Sequence, residues 1–370
     1  MKISVIIPLY NSSATIARTI ASLKAQTLEG CEFILVDDFS CDNTVEQATL
    51  LTKGDSRFSI LTQSHRTDPF QARTRGINSA KGECVMFLDA DDEFTPDACE
   101  IAYKTITEQN VDIFCFGSTV IPAKGTSELE LRHTQKHLDS FENFTGKIEG
   151  QNAVRSFYFK HNRFGTSICL WKKIFRRTVL HEAVKDIIPT APLRYGQDLF
   201  QLILTMLHTS SLYVDNSIKL HKYHLGAGGT QQGSGSLALT NFERMLTTKN
   251  SFICLINYFD SHNYDSSIAK RAIKHSKHSY LNTCSGNFWY LKDNELLEGF
   301  NKLFSTWGEE IYTTPFFYSP TNLLRFKKYV VAKLEQNNPL RPKLSKRLYA
   351  LFLSIPFYKS KLYFKIIFNK

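Results

Sequence analysis

The sequence predicts an α/β protein, a mostly parallel sheet with helices on both faces, followed by a mainly helical carboxyl-terminal region. Three observations carry that expectation. Short, wholly apolar runs recur through the first 116 residues and alternate with stretches at helical spacing, the pattern of strands buried on both faces. Polar clusters rich in Asp and Asn fall directly after three of those runs. Residues 237–335 are rich in Tyr, Phe and Leu and read as mainly helical.

The elements follow in order. Ile3-Ser4-Val5-Ile6-Ile7, ended by Pro8, reads as the first strand, and Asn11-Ser12-Ser13 offers a cap to a helix whose Ile16, Ile20 and Leu23 share one face. Phe33-Ile34-Leu35-Val36 is the second strand, and Asp42-Asn43-Thr44 caps the second helix. Phe58-Ser59-Ile60-Leu61 is the third strand, and a helix spans Phe70 to Ala80. Cys84-Val85-Met86-Phe87-Leu88 is the fourth, Pro96 suits the first turn of a helix running to Thr107, and Asp112-Ile113-Phe114-Cys115-Phe116 is the fifth. Residues 121–150 are polar and read as a long loop or small sheet insertion. Residues 151–225 mix helical patterns with strand fragments, and Gly226 to Ser236 reads as a mobile loop.

The chain has 370 residues, 42% hydrophobic and 22% charged, which excludes a disordered class. Its eight cysteines show neither C-x-x-C nor zinc spacing, so reduced, cytosolic thiols are the simplest reading. The net charge of +10 is unevenly placed. From Arg325 to Lys370 there are 12 Lys and Arg against one acid, Glu335, whereas the first 324 residues hold 33 basic and 34 acidic residues. A neutral body argues against nucleic acid as partner, because phosphate contacts need a basic face. The amino terminus has too short an apolar run for a signal peptide, and the apolar stretch Leu348 to Tyr358 is far short of the roughly 20 residues a spanning helix needs.

The chemistry gathers after the strands: Pro8-Leu9-Tyr10-Asn11, then Asp37-Asp38-Phe39-Ser40-Cys41-Asp42, then Asp89-Ala90-Asp91-Asp92. In a parallel open sheet, ligands bind at the carboxyl ends of strands, so the three clusters are expected to converge. Helix capping accounts for Asp42, but not for paired carboxylates at the end of a buried strand. Asp89-x-Asp91 suits a hard divalent cation, Mg²⁺ or Mn²⁺, shared with substrate phosphates. Neither G-x-x-x-x-G-K-[ST] nor a G-x-G-x-x-G after the first strand is present, so no Walker cradle or dinucleotide fingerprint is read.

Val5-Ile6-Ile7-Pro8-Leu9-Tyr10-Asn11, Val36-Asp37-Asp38-Phe39-Ser40-Cys41-Asp42, Ala72-Arg73-Thr74-Arg75-Gly76-Ile77 and Ala80-Lys81-Gly82-Glu83 leading into Phe87-Leu88-Asp89-Ala90-Asp91-Asp92 together resemble the family-2 glycosyltransferases of the GT-A fold, over roughly residues 1–115. Leu170-Trp171-Lys172-Lys173-Ile174-Phe175-Arg176-Arg177 is similar to a later block of that family, and Gly196-Gln197-Asp198-Leu199-Phe200 resembles its acidic G-E-D-x-x-F block. Thr74 stands where the family usually has Asn, and Gln197 where it has Glu. The resemblance implies that Pro8, Tyr10, Asn11, Asp37, Asp38 and Arg73 border the nucleotide, that Asp89 lies by the ribose or the metal, that Asp91 binds Mn²⁺ or Mg²⁺, and that Asp198 is the general base of an inverting transfer. It also implies a nucleotide-sugar donor, most simply a UDP-sugar, and a lipid-linked or lipooligosaccharide or capsule glycan as acceptor.

Further expectations rest on less. Trp171 stacks on an acceptor sugar or packs in a second core. Lys173 and Arg176 clamp an anion or line a solvated face, with Lys173 placed beside the acceptor. His224 is the candidate further metal ligand, and the glycine-rich loop a candidate lid. The segment at 339–370 places Leu344, Leu348, Leu351, Phe352 and Ile355 on one helix face among basic residues. It reads as an amphipathic tail that holds the protein peripherally on the anionic inner face of the cytoplasmic membrane. The organisation expected is a nucleotide-sugar half at 1–116, an acceptor half at 117–236, a helical region at 237–338 and the tail. A non-catalytic binding or scaffold protein of the same fold is the rival reading. A nucleotidyltransferase is disfavoured, since the first strand is not followed by a Gly/Arg/Lys phosphate loop.

Overall fold

Alternate residues of the second and first strands point to opposite faces, and both faces are covered, which is why those strands are mostly apolar. On one face Val5, Ile7, Leu9, Phe33 and Leu35 pack with Ile16, Ile20 and Leu23 of one helix, and Ala98, Ala102 and Ile106 of another join the same core. On the other, Ile6 meets Gly76 so closely that an added Cβ would sit 2.4 Å from Ile6 Cγ2. The computed structural model describes residues 1–139, 144–158, 167–227, 239–262, 264, 266–288, 290–292 and 295–313. The tail at 339–370 and most of the glycine-rich segment 226–236 lie outside the described residues.

The strands are β1 (Ile3–Leu9), β2 (Cys31–Asp37), β3 (Phe58–Thr62), β4 (Cys84–Phe87), β5 (Glu93–Phe94), β6 (Ile113–Ile121), β7 (Gly146–Glu149), β8 (Lys173–Arg176) and β9 (Ser211–His224). They form one sheet in the order β3-β2-β1-β4-β8-β6-β9-β5, with β7 pairing β9. The β3, β2, β1 and β4 pairings are parallel, as expected of a Rossmann-like half. β8 runs antiparallel between β4 and β6, so β6 is not the direct neighbour of β4.

The helices are α1 (Ile16–Lys24), α2 (Thr44–Thr52), α3 (Pro69–Ser79), α4 (Ala98–Glu108), α5 (Glu128–Asp139), α6 (Gln151–Tyr158), α7 (Arg177–Val184), α8 (Gln197–Leu207), α9 (Leu239–Leu246), α10 (Thr248–Ser261), α11 (Ser266–Phe288) and α12 (Leu296–Trp307). Three local expectations change. β1 does not stop at Pro8 but continues through it to Leu9, with Pro8 opposite Val36. The N-cap of α1 is Thr15, without a side-chain cap bond, and Ser12 O accepts from Thr15 N and Ile16 N, while Asn11 turns elsewhere. The stretch 121–150 follows the sheet-insertion alternative in part, since its strand β7 pairs β9, and it also holds the helix α5, which was not expected.

The chain divides into two compact units, residues 1–231 with 250–276, and residues 232–249 with 277–370. The first contains the sheet. In the second, Phe288 of α11 packs against Phe242 of α9 at 6.1 Å and Phe300 of α12 at 6.2 Å, and Cys284 Sγ donates to Met245 O at 3.4 Å.

Candidate active site

β2, β1 and β4 are neighbours and point the same way, so their three polar ends meet on one edge of the sheet. The first two ends are tied together. Asn11, at φ 49°, accepts from Cys41 N at 2.9 Å through Oδ1, and its own N–H donates to Ser40 Oγ at 3.0 Å. Asp37 closes its own turn, its carboxylate accepting from Ser40 N at 3.2 Å. Asp38 is buried, and Gln63 Nε2, Thr67 N and Thr67 Oγ1 all donate to its Oδ1 at 2.9, 2.7 and 2.7 Å. Burial raises its pKa, and the bonds from Thr67 oppose that rise. Tyr10 is exposed, with the Arg66 guanidinium 3.9 Å over its ring.

The third end is an acidic turn held by α1. Thr15 Oγ1 donates to Ala90 O at 2.8 Å, Arg18 Nη2 to Asp91 O at 2.5 Å and Thr19 Oγ1 to Asp92 O at 2.9 Å. These bonds spend the backbone carbonyls and leave the carboxylates to face one another. Asp89, Asp91 and Asp92 each place an oxygen within 4.8 Å of the other two. Burial, then the charges of Asp91, Asp198 and Asp92, push Asp89 well above the usual carboxylate range; burial, then Asp92, push Asp91 to about 6. Hard oxygen donors that repel one another in a half-buried turn fit a divalent cation. Asp92 is also turned toward β9. Its Oδ1 accepts from His224 N at 2.8 Å and its Oδ2 lies 3.3 Å from His221 Nε2.

Asp198 enters from α8. Gly196 at φ 76° reverses the chain just before it, and the preceding loop is pinned by Leu193 N donating to Asp68 Oδ2 at 2.9 Å and Asn250 Nδ2 to Pro192 O at 3.0 Å. Arg73 of α3 donates through Nη2 to Asp198 Oδ1 at 2.6 Å and through Nε to Gln201 Oε1 at 2.9 Å.

Four of the expected site residues make contacts of their own within the protein. Arg73, expected beside the base, is 4% exposed, and its guanidinium is committed to α8. His224 does not join the carboxylate group; its Nε2 meets Glu93 Oε1 at 2.5 Å. Trp171 and Lys173, expected at the acceptor, are buried, Lys173 at the start of the central strand β8 and Trp171 in the short 3-10 turn just before it. The indole packs with Val120 and Leu138 and stacks on His221 at 4.3 Å, and the Lys173 ammonium donates to Ser167 O at 2.6 Å and Cys169 O at 2.9 Å. Sequence reading missed Asp92 as a link to β9, and it missed Gln201. The signal for Gln201 is present: it and Thr205 are the only polar residues between Leu199 and Leu207.

Residues 4–174 match the family model Glycosyl transferase family 2. Over this segment, a little under half of the chain, the sequence is similar to glycosyl transferase family 2. The chain is 30% identical over 231 residues to the uncharacterized glycosyltransferase YibD of Escherichia coli, covering 60% of this chain and 61% of that one. It is 26% identical over 198 residues to the GalNAc(5)-diNAcBac-PP-undecaprenol beta-1,3-glucosyltransferase of Campylobacter jejuni, covering 50% of this chain and 63% of that enzyme. The chain thus spans less than two thirds of either glycosyltransferase. Among solved structures, S. aureus TarS 1–349 in complex with UDP superposes with a TM-score of 0.56 at 17% identity, covering 92% of each chain. The fold of the chain is GT-A-like.

Proposed function

We propose that the chain is an inverting, metal-dependent glycosyltransferase that moves one sugar from a nucleotide-sugar, most simply a UDP-sugar, to a hydroxyl of a lipid-linked glycan. The observation that carries this reading is Asp198, held by Arg73 through one oxygen beside the acidic turn of Asp89 and Asp91. Among the described residues its second oxygen, Oδ2, makes no hydrogen bond and is available to accept a proton. In the transfer, Asp198 takes the proton of the acceptor hydroxyl. That oxygen bonds to the anomeric carbon, and the opposite bond to the diphosphate breaks with its electron pair on the leaving group. Asp89 and Asp91 are the residues to hold Mn²⁺ or Mg²⁺, which when bound neutralises charge on the diphosphate. Tyr10, Asn11, Asp37 and Asp38 border the nucleotide, with Asp38 facing the base.

The relatives' names support the acceptor class. Besides the Campylobacter enzyme, an Escherichia coli enzyme, 32% identical over 116 residues that cover 31% of this chain and 45% of its own, is a beta-1,3-glucosyltransferase for GlcNAc-diphosphoundecaprenol. Such acceptors sit at a membrane. No helix among the described residues is long and apolar enough to cross one. Attachment through the basic amphipathic segment 339–370, peripheral on the cytoplasmic face, fits both facts.

Release of nucleoside diphosphate from a panel of UDP-, GDP- and TDP-sugars, with Mn²⁺ or Mg²⁺, tests the reading. Asp198→Asn is expected to lose about 10²–10⁴-fold in turnover, the usual worth of a general base, while still binding UDP. Asp91→Ala is expected to lose both turnover and the metal dependence of UDP binding. Full activity in either variant overturns the assignment.

A further inference from the structure

We propose that Gln201 is a positioning residue for Asp198, acting through Arg73, an inference that rests on the reading of Asp198 as the base. The argument begins with the buried guanidinium. Arg73 is 4% exposed and Gln201 is fully buried, so neither group is hydrated in exchange for its protein partners. A guanidinium is planar and donates only, so fixing two of its nitrogens fixes its plane and its position. Gln201 Oε1 fixes Nε at 2.9 Å, and Asp198 Oδ1 meets Nη2 at 2.6 Å. The face of Phe87 lies 6.0 Å from the guanidinium carbon.

The two acceptors are three residues apart on α8, on one face of the helix, and both are read by one side chain from α3. The helices are themselves packed together, Phe70 of α3 against Phe200 of α8 at 5.3 Å. Asp198 alone would hold Arg73 by a single bond, about which the guanidinium and carboxylate can both swing. The second bond, to Gln201, removes that freedom, and with it the freedom of Asp198 Oδ2 to turn away from the acceptor hydroxyl. The identity of the amide atom is settled by chemistry: an arginine Nε–H needs an acceptor, so the oxygen faces it, and Gln201 Nε2 is left buried without a hydrogen-bond partner. A glutamine whose amide nitrogen is unsatisfied in the core is costly unless its oxygen has a task. Holding Arg73 is that task.

The test uses the full chain with MnCl₂ and whichever UDP-sugar the donor panel selects, water serving as acceptor and UDP release as the signal. Gln201→Met keeps the shape and removes the acceptor; Gln201→Glu keeps an acceptor for Nε. Gln201→Met is expected to lower kcat by about tenfold or more, with UDP affinity by calorimetry and donor KM unchanged. Gln201→Glu is expected to recover most of that loss. In an Asp198→Asn background, Gln201→Met is expected to cost nothing further, because residues acting as a unit are not additive. Wild-type kcat in Gln201→Met, equal losses in Met and Glu, or a full additional loss in the double variant each overturn the proposal in favour of simple packing. A wild-type chain that turns over no donor sinks the enzymatic reading itself, and this inference with it, whereas an active wild type matched by Gln201→Met sinks this inference alone.

Discussion

Asp42 joins the first two loops of the site with one carboxylate. Its Oδ1 accepts from Thr44 N at 3.1 Å and Thr44 Oγ1 at 2.5 Å, closing a turn onto the first residue of α2, while its Oδ2 accepts from Ser13 N at 3.2 Å on the approach to α1. Desolvation pushes its pKa up, but the bonds from Thr44 and Ser13 outweigh it and bring the value down to about 2 from an ordinary 3.8. A folded pKa below the unfolded one means stability that is present above the unfolded value and is lost as pH falls through the folded one. Asp42→Ala is therefore expected to cost about 1 kcal/mol at neutral pH, the usual worth of a capping side chain. In urea titrations that difference is expected to shrink as the pH is lowered from about 4 to about 2. A difference independent of pH over that window would assign the effect to something other than the carboxylate. Residues of this kind were readable in the sequence, because a cap needs only a small acceptor just before a helix. The pairing of Arg73 with Gln201 and Asp198 was not readable, because the partners are far apart along the chain: Arg73 meets residues 125 and 128 positions away.

Helix α3 carries Arg73 to the site, and its seating on β1 is set by an absent side chain. A Cβ at Gly76 would lie 2.4 Å from Ile6 Cγ2, and Ile6 is fully buried in the central strand of a parallel set. Gly76→Ala is expected to push α3 off the sheet and to destabilise the protein by about 1–3 kcal/mol, the cost of overpacking. It is also expected to lower kcat, because Arg73 moves with the helix that bears it. A melting temperature and turnover both equal to wild type would show that the sheet yields instead. β1 and β2 were legible as largely apolar runs, since burial on both faces leaves little alternation to misread. β8 was not, because it has only four residues and begins and ends on cations, Lys173 and Arg176. Its place inside the sheet depends on Lys173 finding the carbonyls of Ser167 and Cys169, a closure that no local pattern encodes. α5 was hidden for the opposite reason. It is polar almost all round, with Leu131 and Leu138 its inward-facing apolar residues, so it lacks the wide stripe by which a helix is recognised.

At the scale of the whole molecule the question is where the charge acts. The net +10 is not spread over the whole chain: the first 324 residues are close to neutral and the excess lies from Arg325 onward. Within 339–370 the eight Lys and Arg, interleaved with aromatic and aliphatic residues and no acid, are each worth about 1 kcal/mol near an anionic lipid surface. Apolar burial in the headgroup region adds to that attraction. The proposed donor edge is built from β2, β1, β4 and α8, outside this segment in the sequence, so anchoring and donor binding are expected to separate. Deleting 339–370 is expected to abolish sedimentation with phosphatidylglycerol-containing vesicles and to leave metal-dependent UDP binding unchanged. The intact chain is expected to bind those vesicles less as salt rises, and pure phosphatidylcholine vesicles weakly at any salt. Transfer to a lipid-linked acceptor should fall in the truncated chain while donor hydrolysis in solution does not, since only the former requires the enzyme to dwell at the surface. A truncated chain that still sediments would move the membrane contact into the neutral body, and loss of UDP binding on truncation would make the tail part of the donor site instead of an anchor.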